Sequence, residues 1–269
     1  MGNFGPGRTA MMVCAEPSSP DTEAEAAEVV RAVCADLKSQ LIGPAGLSGQ
    51  ILAQVLLDVE PSSLSRVFGV AGFSRLANLA YLRRSLPVRV TRPAGFKIGT
   101  SLGPGIDAIT LAELGARGGA GPSADAIAAE AMERSYEATL DCPELCGMRR
   151  TSDVLALHKS VGEFDPNLWW IIFDRGEASG CMFLNRCAGM RAVELVYLGL
   201  APALRGRGLA RKLLEAGVEA LAGGREVTLA CAVDTRNTPA RRLYESVGFR
   251  GYATRAAYIR TISAGSGLA

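Results

Sequence analysis

A short glycine-containing segment between an apolar run and an amphipathic stretch has the residue types best suited to chemistry. Residues 205–210 read Arg-Gly-Arg-Gly-Leu-Ala and join an apolar run ending at Leu200 to an amphipathic stretch. Where a strand passes through such a loop into a helix, the first amide N–H groups of the helix lack partners and carry the positive end of its dipole. Gly206 and Gly208 allow close approach to a phosphate, and Arg205, Arg207 and Arg211 add suitable charge. The segment predicts an anion site.

The same segment has alternative interpretations. An ordinary strand-to-helix turn with solvated arginines fits it as well as an anion site does. A dinucleotide-binding loop fits less well, because the full Gly-x-Gly-x-x-Gly pattern and an acidic residue about 20 positions later are not both present. A P-loop is excluded, because no Gly-Lys-Ser/Thr ends the segment.

Hydrophobic periodicity and turn residues predict the elements that position this loop. Strands are predicted at Thr9–Ala15, Ile51–Leu57, Leu76–Leu82, Leu168–Phe173, Cys181–Leu184, Val193–Leu200, Glu226–Val233 and Ala253–Arg260. Helices are predicted from Asp21 or Thr22, with Ala26, Val29, Val30, Val33 and Leu37 on the apolar face, and at Pro61–Val70, Ala124–Glu137, Ser152–Val161, Leu209–Leu221 and Pro239–Val247. This alternation indicates an α/β fold.

Composition limits the classes of protein. The chain has 269 residues, 48% of them hydrophobic, and a net charge of +2, which gives no sign of nucleic-acid binding. It contains no apolar run of about 18 residues, so no membrane span is predicted. The seven cysteines include one close pair, Cys142 and Cys146, without the second pair of a zinc site, so reduced thiols and no metal are expected. The first residues lack a secretory signal, and a cytoplasmic protein is expected.

Two sequence patterns together resemble a known family. Arg205-x-x-Gly208-x-Ala210 is similar to the (Gln/Arg)-x-x-Gly-x-(Gly/Ala) motif of the GNAT superfamily of N-acetyltransferases. The stretch from Asn237 to Phe249 resembles the superfamily's second block, N-x-x-A-x-x-(L/F)-Y-x-x-x-G-F. The resemblance covers roughly residues 124–260 and implies the GNAT fold, an α+β arrangement around a mixed sheet, with acetyl-CoA as co-substrate.

The resemblance also implies roles for individual residues. Acetyl-CoA would lie where strand Val193–Leu200 splays from strand Glu226–Val233. Its pantetheine would pair with the backbone of Leu198 and Leu200 and contact Asn237. Tyr244 would be the general acid that protonates the departing thiolate. The pyrophosphate would bind the main-chain amides of Arg205, Gly206, Arg207, Gly208, Leu209 and Ala210.

The acceptor amine must attack as a neutral species, which requires a base. Glu194 stands on the strand before the loop, where some histone-acetylating members carry a glutamate base; a solvent-facing strand residue is the alternative.

The single histidine, His158, is expected on a helix surface, and Cys231 has nothing nearby to lower its pKa. One of Trp169 and Trp170 is expected in the core and the other at the acceptor groove. Acids in residues 136–141 and 163–165 could hold a cation.

The N-terminal region repeats the second half of the pattern. Aligning Gly72-Phe73 with Gly248-Phe249 places Phe68 opposite Tyr244 and Pro61 opposite Asn237. The corresponding phosphate loop reads Glu-Pro-Ser-Ser-Pro at 16–20, in which prolines remove amide donors. The chain therefore resembles a tandem GNAT of the mycothiol synthase type with a degenerate first copy. We expect a partial GNAT-like domain at 1–84, a Pro- and Gly-rich irregular linker at 85–123 and a catalytic domain at 124–269.

The predicted function is acetyl transfer from acetyl-CoA to a primary amine by direct attack. The acceptor, a small molecule or a peptide, is not readable from the sequence, nor is the length of the acyl group. A non-catalytic acyl-CoA-binding sensor or scaffold is the alternative. A monomer or a homodimer is expected.

Overall fold

The computed structural model describes residues 2–5, 7–42, 50–86, 101–118 and 121–263. The helices and strands, in chain order, are β1 (Gly2–Gly5), β2 (Thr9–Met12), α1 (Pro20–Ile42), β3 (Gln50–Leu57), α2 (Ser63–Val70), β4 (Ser74–Ser85), β5 (Ser101–Gly103), β6 (Ile106–Thr110), α3 (Leu111–Ala116), α4 (Ala124–Tyr136), α5 (Thr151–Ser160), β7 (Trp169–Asp174), β8 (Glu177–Cys187), β9 (Ala192–Leu200), α6 (Leu209–Ala220), β10 (Thr228–Asp234), α7 (Thr238–Ser246) and β11 (Arg250–Ser263). No helix within these ranges is long and apolar enough to cross a membrane.

The chain divides into two compact units. The first comprises Met1–Leu79 with Thr254–Ala269, and the second comprises Ala80–Ala253. In the first unit, β1 is antiparallel to β2, β2 is parallel to β3, and β3 is antiparallel to β11, so the sheet is mixed. In the second unit the order is β10-β9-β8-β7-β6-β5, with β10 parallel to β9 and the other neighbours antiparallel.

Helix α1 buries the predicted face except at Val29, which is 58% exposed. Val30 and Leu37 are buried and Ala26 and Val33 pack partly buried against the same core, to which Ala27 and Cys34 also belong. Residues 27, 30, 34 and 37 follow helical spacing, and Val29 lies about 100° away from Val30 around the axis. The helix start also differs, because the Ser19 and Thr22 side chains each accept a hydrogen bond from the other's backbone N–H, at 3.3 and 2.9 Å. Ser19 therefore caps the helix.

The sheet of the second unit carries a core on each face. Trp170, Ile172, Met182 and Leu184 lie in one cluster with residues of α6 and α7, including Leu213 and Tyr244. Trp169, Ile171, Cys181 and Phe183 lie in the other with residues of α4 and α5. Because side chains alternate along a strand, β7 and β8 supply both cores. Trp169 and Trp170 are both fully buried, so the expectation that one lines a groove is wrong.

Part of the region predicted as irregular is ordered structure. Residues 101–116 form β5, β6 and α3, and β6 pairs with β7 from Ile106↔Asp174 to Thr110↔Trp170. Thr110 caps α3 through a reciprocal bond with Glu113. Pro104 stands between β5 and β6, where its fixed φ suits a turn. Of the other three prolines that motivated the linker prediction, Pro87 and Pro93 lie outside the described residues, and Pro122 stands two residues before α4.

Candidate functional site

Strands β9 and β10 part partway along their length. They pair at Ala192↔Thr228, Val193↔Leu229 and Glu194↔Ala230, and this register goes no further. Beyond it, β9 continues to pair with β8 as far as Gly180↔Leu200, while β10 continues to Asp234 without pairing with β9. A register shift opposite Phe183 and Leu184 leaves Val196 without a partner on β8, and such a bulge bends a strand. A cleft therefore opens between the ends of β9 and β10.

The main chain of Leu198 and Leu200 faces this cleft. The Ala201 N–H donates to the Ser179 carbonyl on the β8 side, at 2.8 Å. Backbone polar groups of an antiparallel strand alternate between its two edges, so the neighbouring Leu200, and Leu198 before it, point to the opposite edge. That edge is the one from which β10 has parted. The two predicted pantetheine positions thus lie on the open side of β9.

The loop before α6 leaves the helix start uncapped by any side chain. Gly208 is the N-cap residue, with φ 74°, and makes no side-chain capping bond. Gly206 also has a positive φ, 72°, and a Cβ at either position would meet nothing within 4 Å, so backbone conformation rather than space requires glycine. Leu209 is buried and Ala210 packs on the same core, so their side chains face inward while their amides belong to the first turn. These residues fit an anion such as a pyrophosphate.

The Arg205 side chain is bound by the protein itself. Its Nε donates to the Leu200 carbonyl at 2.9 Å, at the end of β9. Its Nη1 donates to the Ala138 carbonyl at 3.0 Å, and its Nη2 donates to the carbonyls of Ser135 and Glu137 at 3.0 and 2.6 Å. The guanidinium thus clamps the end of α4 to the start of the loop. The sequence-based expectation that its charge serves a phosphate receives no support from this geometry.

The other two arginines differ from Arg205. Arg207 is exposed on the loop. Arg211 lies in the first turn of α6 and pairs with Glu215 one turn later, with Nε and Oε1 2.9 Å apart. Arg207 is therefore the arginine of the loop best placed to meet an anion from solvent.

Asn237 and Tyr244 lie on α7, which follows the free end of β10. The Asn237 Oδ1 accepts the Ala240 N–H at 3.3 Å, so Asn237 caps the helix. Tyr244 is only 6% exposed, and its ring lies 5.5 Å from that of Phe249. Burial raises the pKa of Tyr244 well above its usual value, with smaller contributions from Cys231 and Asp141. The phenol is protonated at neutral pH, as an acid must be before it donates.

Glu194 lies at the vertex of the cleft. It occupies the last paired position between β9 and β10 and also pairs with Asn185 on β8. Burial raises its pKa. A carboxylate at the vertex is compatible with the predicted role as a base, which stays a prediction.

The loop after α4 is fastened to the free end of β10, a link that sequence reasoning missed. The Asp234 N–H donates to the Asp141 Oδ1 at 2.8 Å, and the Cys142 N–H donates to the Asp234 Oδ2 at 3.2 Å. The Asn237 side chain opposes the rise that burial causes in the pKa of Asp141. The only sequence signal was the group of acids at 136–141, which does not reveal a partner more than 90 residues away.

His158 is not the surface residue that the sequence suggested. Its ring lies 5.5 Å from that of Tyr197 and 6.4 Å from that of Phe183. Burial lowers its pKa to about 4, and the charge of Arg149 adds to the effect. The histidine is neutral at physiological pH and belongs to the packing of α5.

Comparison with known proteins identifies this arrangement. The family model described as acetyltransferase (GNAT) family matches residues 132–249, which contain the cleft, the loop and α7. This segment is a GNAT acetyltransferase domain. A mycothiol acetyltransferase from Beutenbergia cavernae is 31% identical over 110 residues, which are 40% of this chain and 37% of that relative. The match thus spans little more than a third of the relative's length.

Solved structures show the same fold over nearly the whole of this chain, beyond the segment 132–249. A GCN5-related N-acetyltransferase from Sphaerobacter thermophilus superposes with a TM-score of 0.57 at 18% identity, covering 99% of this chain and 77% of that one. A tandem GNAT protein from the clavulanic acid biosynthesis pathway gives a TM-score of 0.51 at 14% identity, covering 97% and 77%. At these identities the likeness concerns the fold alone.

The residues that the structure describes include no cluster of candidate metal ligands. In the part of the chain that the structure describes, no three His, Cys, Asp or Glu side chains come together in a way that could hold a metal ion. All seven cysteines are unpaired thiols. Burial raises the pKa of Cys231 to about 12, with smaller contributions from Asp141 and Glu194, so this thiol is a poor nucleophile near neutral pH.

Proposed function

We propose that the protein transfers an acetyl group from acetyl-CoA to a primary amine by direct attack. The observation that carries the proposal is the uncapped start of α6 beside the parted strands of a GNAT domain. The pyrophosphate binds the main-chain amides of residues 206–210, because the Arg205 N–H, which the sequence also suggested, donates to the Pro202 carbonyl at 3.1 Å. The pantetheine lies along Leu198 and Leu200 and contacts Asn237. A cytoplasmic location stays a prediction from the sequence.

The chain's own residues support this chemistry in three ways. The helix dipole of α6 favours the negative charge of the diphosphate. The cleft holds the thioester beside the acceptor, which removes the entropy cost of bringing two reactants together. As the amine nitrogen bonds the acetyl carbon and the carbon–sulfur bond breaks, Tyr244 gives its proton to the sulfur.

The Tyr244→Phe variant tests this role. Phenylalanine preserves the buried ring and its contact with Phe249 but has no proton to give. We expect kcat to fall about 100-fold, the scale of general acid catalysis, while CoA affinity stays within about twofold of the wild type. Thiol release with acetyl-CoA and a panel of primary amines gives the rate, and calorimetry with CoA gives the affinity. Equal turnover by the variant and the wild type would exclude Tyr244 as the acid.

A non-catalytic acyl-CoA-binding module is the alternative function. The same amine panel separates the two, because a module binds CoA tightly and turns over no amine. The panel includes deacetylated mycothiol, since the curated relative is a mycothiol acetyltransferase. The protonated phenol of Tyr244 beside the cleft favours the enzyme.

We infer that the first unit contains a degenerate first copy of the GNAT domain. Phe68 and Phe73 repeat the local geometry of Tyr244 and Phe249, with ring centroids 5.0 Å apart and a Phe73 N–H to Phe68 carbonyl bond of 2.9 Å. The corresponding bond in the GNAT domain is 3.0 Å long. Gly72 and Gly248 both have positive φ, 83° and 90°. Yet Phe68 has no hydroxyl, and Ser19 caps α1 where the GNAT domain leaves α6 open.

A further inference from the structure

Strand β4 lies beside β10, on the edge of β10 that faces away from β9. From Ala80 onward β4 belongs to the same compact unit as β10. The N–H of Leu86, which follows β4, donates at 2.8 Å to the carbonyl of Val227, which precedes β10. The end of one strand therefore lies beside the start of the other, so the two strands are antiparallel. Counting back from this bond places Arg83 opposite Ala230.

The side chains of β4 alternate between the two faces of the sheet. Leu82 of β4 and Cys231 of β10, which the same count places opposite each other, are both buried in the core that includes residues of α6 and α7. Because neighbouring residues of a strand point to opposite faces, Tyr81 and Arg83 lie on the other face. Ala232 of β10, opposite Tyr81, shares that face.

This second face is uncovered next to the cleft. Among the described residues, those that pack with α4 and α5 come from α3 and from strands β7, β8 and β9, and none come from β10 or β4. Ala232 is exposed, although its strand lies inside the sheet. Glu194 pairs with Ala230, so the uncovered face begins at the vertex of the cleft. Since α6 and α7 pack on the opposite face, an acceptor approaches the thioester from this one.

Arg83 stands on the uncovered face with an aromatic support. Its Cζ lies 4.9 Å from the centroid of the Tyr252 ring, and the Tyr81 ring meets the Tyr252 ring at an angle, with centroids 6.2 Å apart. Stacking uses the flat face of a guanidinium and leaves the N–H donors in its plane. Arg83 is exposed, and no carboxylate in the described ranges pairs with it. It therefore presents a positioned cation whose donors are available to a ligand.

The distance from Arg83 to the vertex sets the size of a ligand that reaches both. Ala230 lies between Arg83 and Glu194, so two strand spacings separate them. Neighbouring strands are about 4.8 Å apart, which places the two Cα atoms about 10 Å from each other. The pantetheine runs from the loop past Leu200 and then Leu198, so its thioester lies toward the vertex. One small molecule can place an amine there and an anionic group at Arg83.

We propose that the uncovered face binds an acceptor whose primary amine is joined to an anionic group, a carboxylate or a phosphate, and that Arg83 recognises the anion. This assignment rests on the proposed acetyl transfer. The Tyr252 ring holds the guanidinium, and the N–H donors in its plane bind two oxygens of the anion. Ala230 and Ala232 form a floor without bulk, which leaves room for the ring or chain that joins the anion to the amine. Arg83 sets specificity and does not touch the reacting atoms.

Two matched pairs of amines test the proposal, because the members of each pair differ in an anionic group. Tyramine is compared with 4-(2-aminoethyl)benzoate, and glucosamine with glucosamine 6-phosphate, so the pairs distinguish a carboxylate from a phosphate. With the wild-type full chain and acetyl-CoA, we expect kcat/KM to be at least tenfold higher for the anionic member of at least one pair. Added salt is expected to reduce this preference, because exposed charges are screened.

The Arg83→Gln variant is expected to remove the preference. Its kcat/KM for the anionic amine should fall at least tenfold, through KM rather than kcat, while the value for the neutral partner falls less than threefold. Arg83→Lys keeps the charge but not the planar fork, so an intermediate loss is expected. Arg225→Gln, which changes an exposed arginine just before β10, is the matched control and is expected to behave as the wild type does. A merely structural role of Arg83 would lower both members of a pair alike.

Calorimetric titration of the CoA complex with the four amines gives a second readout that needs no turnover. We expect the same order of affinities, and the same loss in Arg83→Gln. Equal kcat/KM and equal affinity for both members of both pairs in the wild type would overturn the inference, as would an equal loss for both members in Arg83→Gln. Absence of CoA binding together with absence of turnover on any primary amine would instead overturn the proposed function.

Discussion

Arg205 illustrates how the partners of a residue decide what its charge does. Its position at the start of the phosphate loop suggests a ligand contact, yet its guanidinium donates to four backbone carbonyls. Three of those carbonyls lie at the C-terminal end of α4, where the helix dipole is negative and a cation is stabilising. These partners precede Arg205 by 67 to 70 residues, so no local pattern could reveal them. The residue type was readable from the sequence, and its function was not.

The structure therefore separates the roles of Arg205 and Arg207. Arg205→Ala removes the clamp and leaves carbonyls without donors, so we expect the free energy of unfolding without CoA to fall by about 1–2 kcal/mol. Arg207→Ala is expected to change it by less than about 0.5 kcal/mol, because surface substitutions away from buried features have small effects. Urea denaturation of the ligand-free protein measures both. If the two variants were equally stable, the clamp would have no energetic importance.

Helix α5 shows which features of an element periodicity predicts and which it does not. Periodicity predicts the helix at 152–161, and the structure has it at Thr151–Ser160. The fully buried Asn185 on β8 accepts the Trp169 Nε1–H at 2.7 Å and donates to the carbonyls of His158 and Val161, which fastens the helix end. Such a junction depends on side chains from separate elements. The face that α5 buries, and the environment of His158, followed only from the structure.

His158 gives a pH prediction for this helix. Its pKa is about 4 in the folded protein and about 6.5 in an unfolded chain. Above pH 6.5 both states hold the neutral ring, so the difference does not affect stability. Between pH 6.5 and 4 the unfolded state gains the proton first, and stability is lost by up to about 3 kcal/mol.

The His158→Gln variant isolates this term, because His158 is the only histidine in the chain. Glutamine does not titrate, so we expect its unfolding free energy to decline less steeply between pH 6.5 and 4 than that of the wild type. Denaturant titrations of both proteins at several pH values give the two curves. Parallel curves across this window would show that the folded protein protonates His158 normally.

Long periodic elements were easier to predict from the sequence than short strands. Long periodic segments such as α4, α6 and α7 were readable, because each buries one face at helical spacing. β5 and β6 were not, because they are three and five residues long and lie in a stretch rich in proline and glycine. Their pairing with β7 is a long-range contact that sequence composition does not record.

For the whole molecule, the sequence predicts one anion-binding loop and one altered counterpart. The fold of the GNAT domain and the position of its cleft agree with what the two motifs imply. The compact units run across the predicted boundaries, since residues 254–269 group with the N-terminal 79. A late segment that joins an early sheet through β3 and β11 is not visible in local patterns. The degenerate first copy predicts a single CoA site per chain.

Calorimetric titration of the full chain with CoA tests the central claim, that the amides before α6 hold the diphosphate. We expect one CoA per chain with micromolar affinity, and an affinity at least tenfold weaker in Arg207→Glu, because the new carboxylate repels the phosphates. Arg117→Glu, which reverses an exposed arginine at the end of α3, serves as the matched control and is expected to bind as the wild type does. Absence of CoA binding, or equal affinity in Arg207→Glu and the wild type, would contradict the account.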